Sequence, residues 1–368
     1  MARILVLGGT SWLGGTVAAE AARRGHDVVC LARGETGGVP EGTTLVPADR
    51  DRPDAYAALA NGSAGFDASG RATAQTAASD TIGAADDGDF DLVVDVARQP
   101  GHVRGALAAL SERAASWVFV SSCSVYARQD EHGADESAQL LPAASGDLVT
   151  VEQYGPGKVA CEEAVTTARG SQALIVRSGL IVGGGDPSER FGYWPSRFAL
   201  AADDGGPVVV PSQVDRPVQW VDVVDLGAWL LTAGLAGVTG ILNAMGPAVP
   251  LGAVLAQAAR TAQFGGERIP VDDAGLIASG VEEFMGPRSL PLWLYDTSWS
   301  AFLDRNCTSA RRWGLGQRPL ADTMADALDT EQRLGLGRRR ESAGLDRDTE
   351  LQLVADLGRR ASTCRPGG

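Results

Sequence analysis

Residues 2–33, ARILVLGGTSWLGGTVAAEAARRGHDVVCLAR, constrain the fold more than any other stretch of this chain. An almost wholly apolar run ends in glycines, which is the pattern of a strand buried on both faces. An alanine-rich segment (16–25) follows and stops at Gly25, as a helix with a glycine cap does. A second apolar run, HDVVCLAR (26–33), completes a βαβ unit in about thirty residues. Two parallel strands so close in sequence require a helical crossover, and the sheet they start is a parallel one.

The same alternation continues. TTLVPAD (43–49), FDLVVDVA (90–97) and SWVFVSS (116–122) read as the third, fourth and fifth strands, and ALIVRSGLIVG (173–183) as another buried one. HVRGALAALSERA and KVACEEAVTTARG, between them, have helical patterning. The expected fold is therefore α/β, a Rossmann-type doubly wound parallel sheet, with a smaller, interleaved C-terminal substrate-binding region. The expected organisation is a dinucleotide-binding domain over 1–182 and a substrate region over 183–334, with 218–232 returning to the Rossmann core. A charged helical tail is expected over 335–368. Residues 61–89, built largely from Ala, Gly, Ser, Thr and Asp, read as a flexible surface insertion without a catalytic role.

The loop LGGTSWLGG (7–15) joins the first strand to the first helix. There Gly8 and Gly9 permit a tight turn, Gly14 permits close helix–strand packing, and the free N–H groups of the helix start suit a pyrophosphate. Gly8, Gly9, Thr10, Ser11, Trp12, Leu13 and Gly14 are thus candidate cofactor-binding residues. Ser11 stands where a glycine is usual, and its hydroxyl is of a size to reach a phosphate. An NAD-type site usually carries Asp or Glu at the end of the second strand. This chain has Ala32 followed by Arg33, and a guanidinium there suits a 2′-phosphate. The cofactor expectation is accordingly NADP(H) over NAD(H). Asp49, ending the third strand, is a candidate for the adenine amino group, and Ala97, ending the fourth, a further cofactor contact.

Lys158 is the one lysine among 32 basic residues. It lies four residues after Tyr154 in EQYGPGKVACEEA, so the two share a helix face. A nearby ammonium stabilises a phenolate, and a compact ammonium fits where a planar guanidinium would crowd. Pro156 requires that the helix begin close to it. The expected partner is a hydroxyl at the end of the fifth strand, in VFVSSCSVYA (118–127), where Ser121, Ser122 and Ser124 are candidates.

These motifs, in this order over residues 2 to about 232, resemble the short-chain dehydrogenase/reductase superfamily in its extended, NAD-dependent epimerase/dehydratase-like branch. DPSERFGYWPSRF and LPLWLYD are similar to segments of a reductase-like subset with a GGTxFLG start. The resemblance implies Ser122, Tyr154 and Lys158 as the catalytic set: Tyr154 as acid/base, Lys158 stabilising its phenolate and holding the cofactor ribose, and Ser122 polarising the substrate oxygen. Sugar-nucleotide dehydratases carry an Asp-Glu pair after that hydroxyl. Cys123 and Ser124 stand there in this chain, which speaks against a 4,6-dehydratase. By resemblance, Ser124, Tyr193, Arg197 and Arg216 are weaker substrate-side candidates. The implied activity is NAD(P)-dependent hydride transfer on a carbonyl or carbinol, with a reductase or dehydrogenase favoured over a sugar-nucleotide epimerase. The contrasting class is a non-catalytic nucleotide-sensing protein, against which the intact Ser–Tyr–Lys set argues. The implied partner is a small molecule, a nucleotide sugar among the options, and a homodimer through helices beside the site is a family expectation.

Composition narrows the rest. A formal charge of −14 disfavours nucleic acid. No apolar run is long enough for a membrane span, and MARILVLGGT lacks the layout of a secretory signal. Five scattered cysteines without a CxxC motif, and only three histidines, point to reduced thiols and no metal site. The expected location is cytoplasmic.

Overall fold

The computed structural model describes residues 1–35, 37–60, 64–66, 72–74 and 89–363. Apart from a short antiparallel pair, Ala64–Phe66 with Ala72–Ala74, and its last residue, Asp89, the expected insertion lies outside the described residues.

Seven parallel strands form one sheet: β1 (Arg3–Leu7), β2 (Asp27–Ala32), β3 (Thr44–Pro47), β4 (Phe90–Asp95), β5 (Ala114–Ser122), β6 (Ala173–Ser178) and β7 (Gly240–Ala244). Their order across the sheet is β7-β6-β5-β4-β1-β2-β3, with every ladder parallel. The strand order reverses between β1 and β4, and the crevice outside the carboxyl ends at such a switch point is where open α/β sheets bind ligands.

Helices cover both faces, as burial on two sides demands. On one face α1 (Trp12–Arg23) packs beside α5 (Val223–Leu235), closing a core that includes Ile4, Val6, Val17, Val94, Leu226 and Leu230. On the other, α2 (Pro100–Leu110) and α3 (Tyr154–Arg169) enclose Leu5, Val93, Val103, Leu107, Phe119 and Val165. Beyond α5 the chain adds the edge strand β7, a five-residue element whose sequence, GILNA, holds a glycine and an asparagine and gives only a weak strand pattern.

A second lobe is built around α4 (Arg190–Asp204), α6 (Leu251–Thr261) and α7 (Leu320–Leu334), with a parallel pair Val208–Pro211 and Arg268–Val271. Its core is aromatic: Phe191, Tyr193, Trp194, Phe198, Trp220 and Trp293 are buried. The last described helix, α8 (Arg347–Thr363), belongs to this lobe. Its Glu350 is fully buried, accepts the Val209 N–H at 2.9 Å and pairs with Arg347 at 2.5 Å. The charged tail read from the sequence thus contributes a buried carboxylate to the packed lobe. Cys30, Cys123, Cys161 and Cys307 are free, buried thiols. Among the described residues no helix is long and apolar enough to cross a membrane.

Candidate active site

The glycine loop sits at the carboxyl end of β1. Gly8 has φ +98°, a conformation L side chains rarely adopt. Gly14 is pressed against the loop it follows: a Cβ there would lie 2.2 Å from the Gly8 carbonyl oxygen. Gly9 stacks directly on Cys30 of β2. Ser11 is the N-cap of α1. Its Oγ accepts from the Gly14 N–H at 3.2 Å and donates to the Gly8 carbonyl at 2.7 Å. The serine that replaces a glycine thus braces the turn from within. Thr10 lies in the same turn, and the Leu13 side chain faces the core, so that only its backbone borders the loop. Trp12 donates its indole N–H to the Gly184 carbonyl at 2.8 Å, tying the loop to the segment that leads into α4.

At the rim, Arg33 is exposed and faces Glu35 at 3.4 Å. Asp49 accepts the Asp51 N–H at 3.1 Å and so caps the turn after β3. Ala97 is buried just past β4. Its N–H donates to Asp95, which is itself buried and paired with Arg50 at 3.0 Å.

Tyr154 is the first residue of α3. Pro156 falls in the first turn, where a helix has no use for its missing N–H. The glycines around it let the helix start press on the end of β5: a Cβ at residue 155 would lie 2.4 Å from the Ser124 carbonyl oxygen. That close approach packs the start of α3 on the Ser122–Ser124 turn. Ser122 ends β5 and caps the short helical turn after it. Its Oγ accepts the Ser124 N–H at 3.1 Å and donates to the Ser124 Oγ at 3.2 Å. Ser121 points away and donates to Glu162 at 2.5 Å. Glu162 also holds Arg177 at 2.7 Å, both buried. Burial opposes the charge on Arg177, but hydrogen bonds and attraction from Glu162 outweigh it and raise the guanidinium above its ordinary range.

Lys158 is 3 % exposed. Its Nζ donates to the carbonyls of Ala97 (2.7 Å) and Val120 (2.6 Å), lies 4.8 Å over the Phe119 ring and 5.9 Å from the centre of the Tyr154 ring. The ammonium bridges the ends of β4 and β5, with one N–H left over.

The substrate-side candidates divide. Ser124 lies in the site. Tyr193 is fully buried in the second lobe, and burial raises its phenol to about 12. Arg197 is buried beside it, bonded to the Leu345 carbonyl and 3.4 Å from Glu350. Arg216 pairs with Asp273 at 2.5 Å and donates to the Leu294 carbonyl. These three side chains are committed to the lobe's own packing. The sequence pattern offered no means of telling an arginine that lines a cleft from one that ties α4 to α8.

One arginine outside that candidate set stands over Tyr154, and a second, whose segment resembles one that lines the substrate cleft in the family, stacks elsewhere. Arg98, directly after β4, places its guanidinium carbon 5.4 Å over the Tyr154 ring. Arg190, the first residue of α4, stacks 4.7 Å over Phe284. Burial lowers its guanidinium, while the charge of Asp186 acts in the opposite sense.

Comparison with known proteins agrees with this architecture. A family model described as the NAD dependent epimerase/dehydratase family matches residues 4–243. No curated protein matches the sequence closely enough to count as a relative. Among solved structures, a protein described as an epimerase from Burkholderia cenocepacia superposes with a TM-score of 0.64 at 21 % identity, covering 90 % of this chain and 98 % of that one. UDP-glucuronic acid 4-epimerase from Bacillus cereus, in complex with NAD, gives 0.59 at 13 %, covering 90 % and 99 %. UDP-glucose 4-epimerase from Thermus thermophilus, also with NAD, gives 0.57 at 17 %, covering 90 % and 99 %. At these identities the likeness shows the fold alone.

Proposed function

This chain belongs to the NAD dependent epimerase/dehydratase family, and from that premise we propose that it is an NAD(P)-dependent oxidoreductase with Tyr154 as its acid/base. The observation that carries the proposal is the packing of the α3 start on the end of β5. It presses Gly155 on the Ser124 carbonyl and bonds Lys158 to Val120, which supports an acid/base set of Tyr154, Lys158 and Ser122.

The loop fits a dinucleotide. The space a Cβ would fill at residue 14 is taken up by the turn itself, and α1 starts there with a braced cap. Gly8 to Gly14 would hold the pyrophosphate, and Arg33, on an exposed rim without a neighbouring acid at residue 32, favours a 2′-phosphate and hence NADP(H). When bound, the nicotinamide supplies the hydride donor or acceptor.

The chain's own groups handle the proton and the orientation. Ser122 holds its hydroxyl proton toward the Ser124 Oγ, from which it is free to turn to a substrate oxygen. Tyr154 gives a proton to that oxygen in reduction and takes it in oxidation. Lys158, a buried ammonium fixed by two carbonyls, stabilises negative charge on the phenol oxygen through space. Cys123, at the position after the serine, is buried and donates to the Arg177 carbonyl at 3.4 Å; burial holds its thiol far above the ordinary range, so it supplies no acid/base group.

The direction favoured is a reductase or dehydrogenase that exchanges its cofactor. The second reading, an epimerase on a nucleotide sugar that retains NAD, is supported by the family and by the neighbours' activities. Mass spectrometry of nucleotide released on denaturation distinguishes them. No retained nucleotide, followed by tight NADPH and weak NADH binding, is expected for the first; stoichiometric NAD(H) would replace it with the second. Tyr154→Phe should bind cofactor as the wild type does and lose turnover. Full turnover in that variant would end the proposal.

A further inference from the structure

Lys158 is a buried cation held by backbone alone. Its acceptors are the carbonyls of Ala97 and Val120, and no carboxylate pairs with it among the described residues. The ammonium therefore stands where those two carbonyls are held. Val120 is fixed by the ladder that pairs β5 with β6. Ala97 lies past the end of β4 and outside any ladder, so its backbone needs another anchor.

Asp95, the last residue of β4, is that anchor. Its carboxylate is fully buried, and Oδ1 accepts the Ala97 N–H at 3.0 Å. Arg50 grips both oxygens, Nη1 to Oδ1 at 3.0 Å and Nη2 to Oδ2 at 3.3 Å. Such a fork fixes the plane of a carboxylate, which a single contact does not. Arg50 is itself held: Nε donates to the Tyr56 hydroxyl oxygen at 2.7 Å and Nη2 to the His102 carbonyl at 3.0 Å. The Tyr56 hydroxyl donates to the same carbonyl at 2.8 Å. The turn after β4 is thereby tied to the segment after β3 and to α2. That turn carries the Ala97 carbonyl and, one residue on, Arg98, whose guanidinium carbon lies 5.4 Å over the Tyr154 ring. A buried ion pair adds little net stability over an apolar pair of the same volume, which leaves geometry as its contribution.

We propose that Asp95 and Arg50 are positioning residues for the acid/base group: the pair holds the turn of residues 95–98 so that the Ala97 carbonyl fixes the Lys158 ammonium and Arg98 stays over the Tyr154 ring. The inference rests on the assignment of Tyr154 as the acid/base. Both residues act through the backbone of Ala97, and Tyr56 supports them through Arg50.

The test uses the fact that Lys158 is the chain's only lysine. The full chain labelled with 13C-lysine gives one lysine side-chain signal in solution NMR, which reports on the ammonium without a substrate. In the wild type it should stand apart from the signal of free lysine, because Nζ lies 4.8 Å over the Phe119 ring. Asp95→Asn should move it toward free lysine, and Tyr56→Phe, which removes one support of Arg50, should move it less. Asp204→Asn, which breaks the Arg347 pair in the second lobe, should leave it in place. At saturating NADPH, Asp95→Asn should lower turnover of the best carbonyl substrate by roughly a hundredfold, the effect of about 1 Å of misplacement. Tyr56→Phe should fall between it and the wild type. If Asp95→Asn does not fold, Tyr56→Phe carries both comparisons. A lysine signal that stays in place in the folded variants overturns the proposal. A signal that moves as far in Asp204→Asn also overturns it, because it would then report general loosening, and so does a moved signal with wild-type turnover. If the wild type turns over no carbonyl and binds neither NADPH nor NADH, the oxidoreductase assignment fails, and the lysine signal by itself decides whether the pair positions the ammonium.

Discussion

Lys158 donates to the carbonyl of Ala97 at 2.7 Å, and the same ammonium reaches Val120 at 2.6 Å, so that one side chain joins the ends of β4 and β5 under Tyr154. A lysine meets this demand because a compact cation fits between two carbonyls in a nearly closed space, beside Phe119. An arginine brings a wider plane and five donors to a pocket that offers two acceptors.

Lys158→Arg is therefore expected to lower stability by about 1–3 kcal/mol through overpacking and to lower turnover by roughly a hundredfold or more. Urea denaturation and steady-state rates with the best carbonyl substrate check the two effects. Wild-type rates in this variant would show that the ammonium's shape is irrelevant.

Gly14→Ala places a methyl 2.2 Å from the Gly8 carbonyl oxygen. The Gly8 backbone on one side and the bonded Ser11 Oγ on the other leave little to yield. The variant should lose dinucleotide binding, read by quenching of protein fluorescence, and lose about 1–3 kcal/mol of stability. Ordinary cofactor affinity would contradict the placement of the phosphate site at this turn.

Arg33→Ala should weaken NADPH at least about tenfold, the effect of losing a charge-assisted contact, and leave NADH within twofold. A uniform effect on both cofactors would mean that Arg33 meets adenine or ribose and not a 2′-phosphate.

Removing the carboxylate of Glu162 leaves Arg177 charged in the core and frees Ser121. Glu162→Ala should lower stability by about 3–5 kcal/mol, measured as a shift in the urea midpoint. Glu162→Gln, which keeps shape and part of the hydrogen bonding, should lose less. Equal losses would mean that cavity formation, and not the stranded charge, sets the cost.

A hydrogen bond from Arg23, opposed by partial burial and aided by Arg24, holds the Glu20 carboxyl at about 2 instead of 4.5. Its folded value is lowered, so its contribution is complete above the unfolded value and disappears as pH falls from 4.5 through about 2. At pH 7, Glu20→Gln should be less stable than wild type by roughly 1 kcal/mol or less, as for other exposed helix pairs. The difference should close across that acidic window in pH-dependent denaturation curves. A constant difference down to pH 2 would refute the ion-pair account.

The sheet was legible because parallel strands buried on both faces are written as short apolar runs, and the glycine loop and the Tyr154–Lys158 spacing are local patterns within one or two turns. β7 was not, because an edge strand needs little of that apolar signal, and its place beside β6 is decided by pairing with residues about 65 positions earlier in the chain.

The sequence by itself determined the alternation of strand and helix, the glycine loop after the first strand, and a lysine one helical turn from a tyrosine. Each of these depends on neighbours a few residues away. Tertiary structure alone decided which partners Arg197 and Arg98 meet. Arg197 reads as a ligand residue in its segment but is drawn into the core by Glu350, about 150 residues later. Arg98 reads as the loop residue after a strand but stands over Tyr154, more than fifty residues on. A charged side chain's role is set by the charge it meets, and those meetings are made by packing across the whole chain.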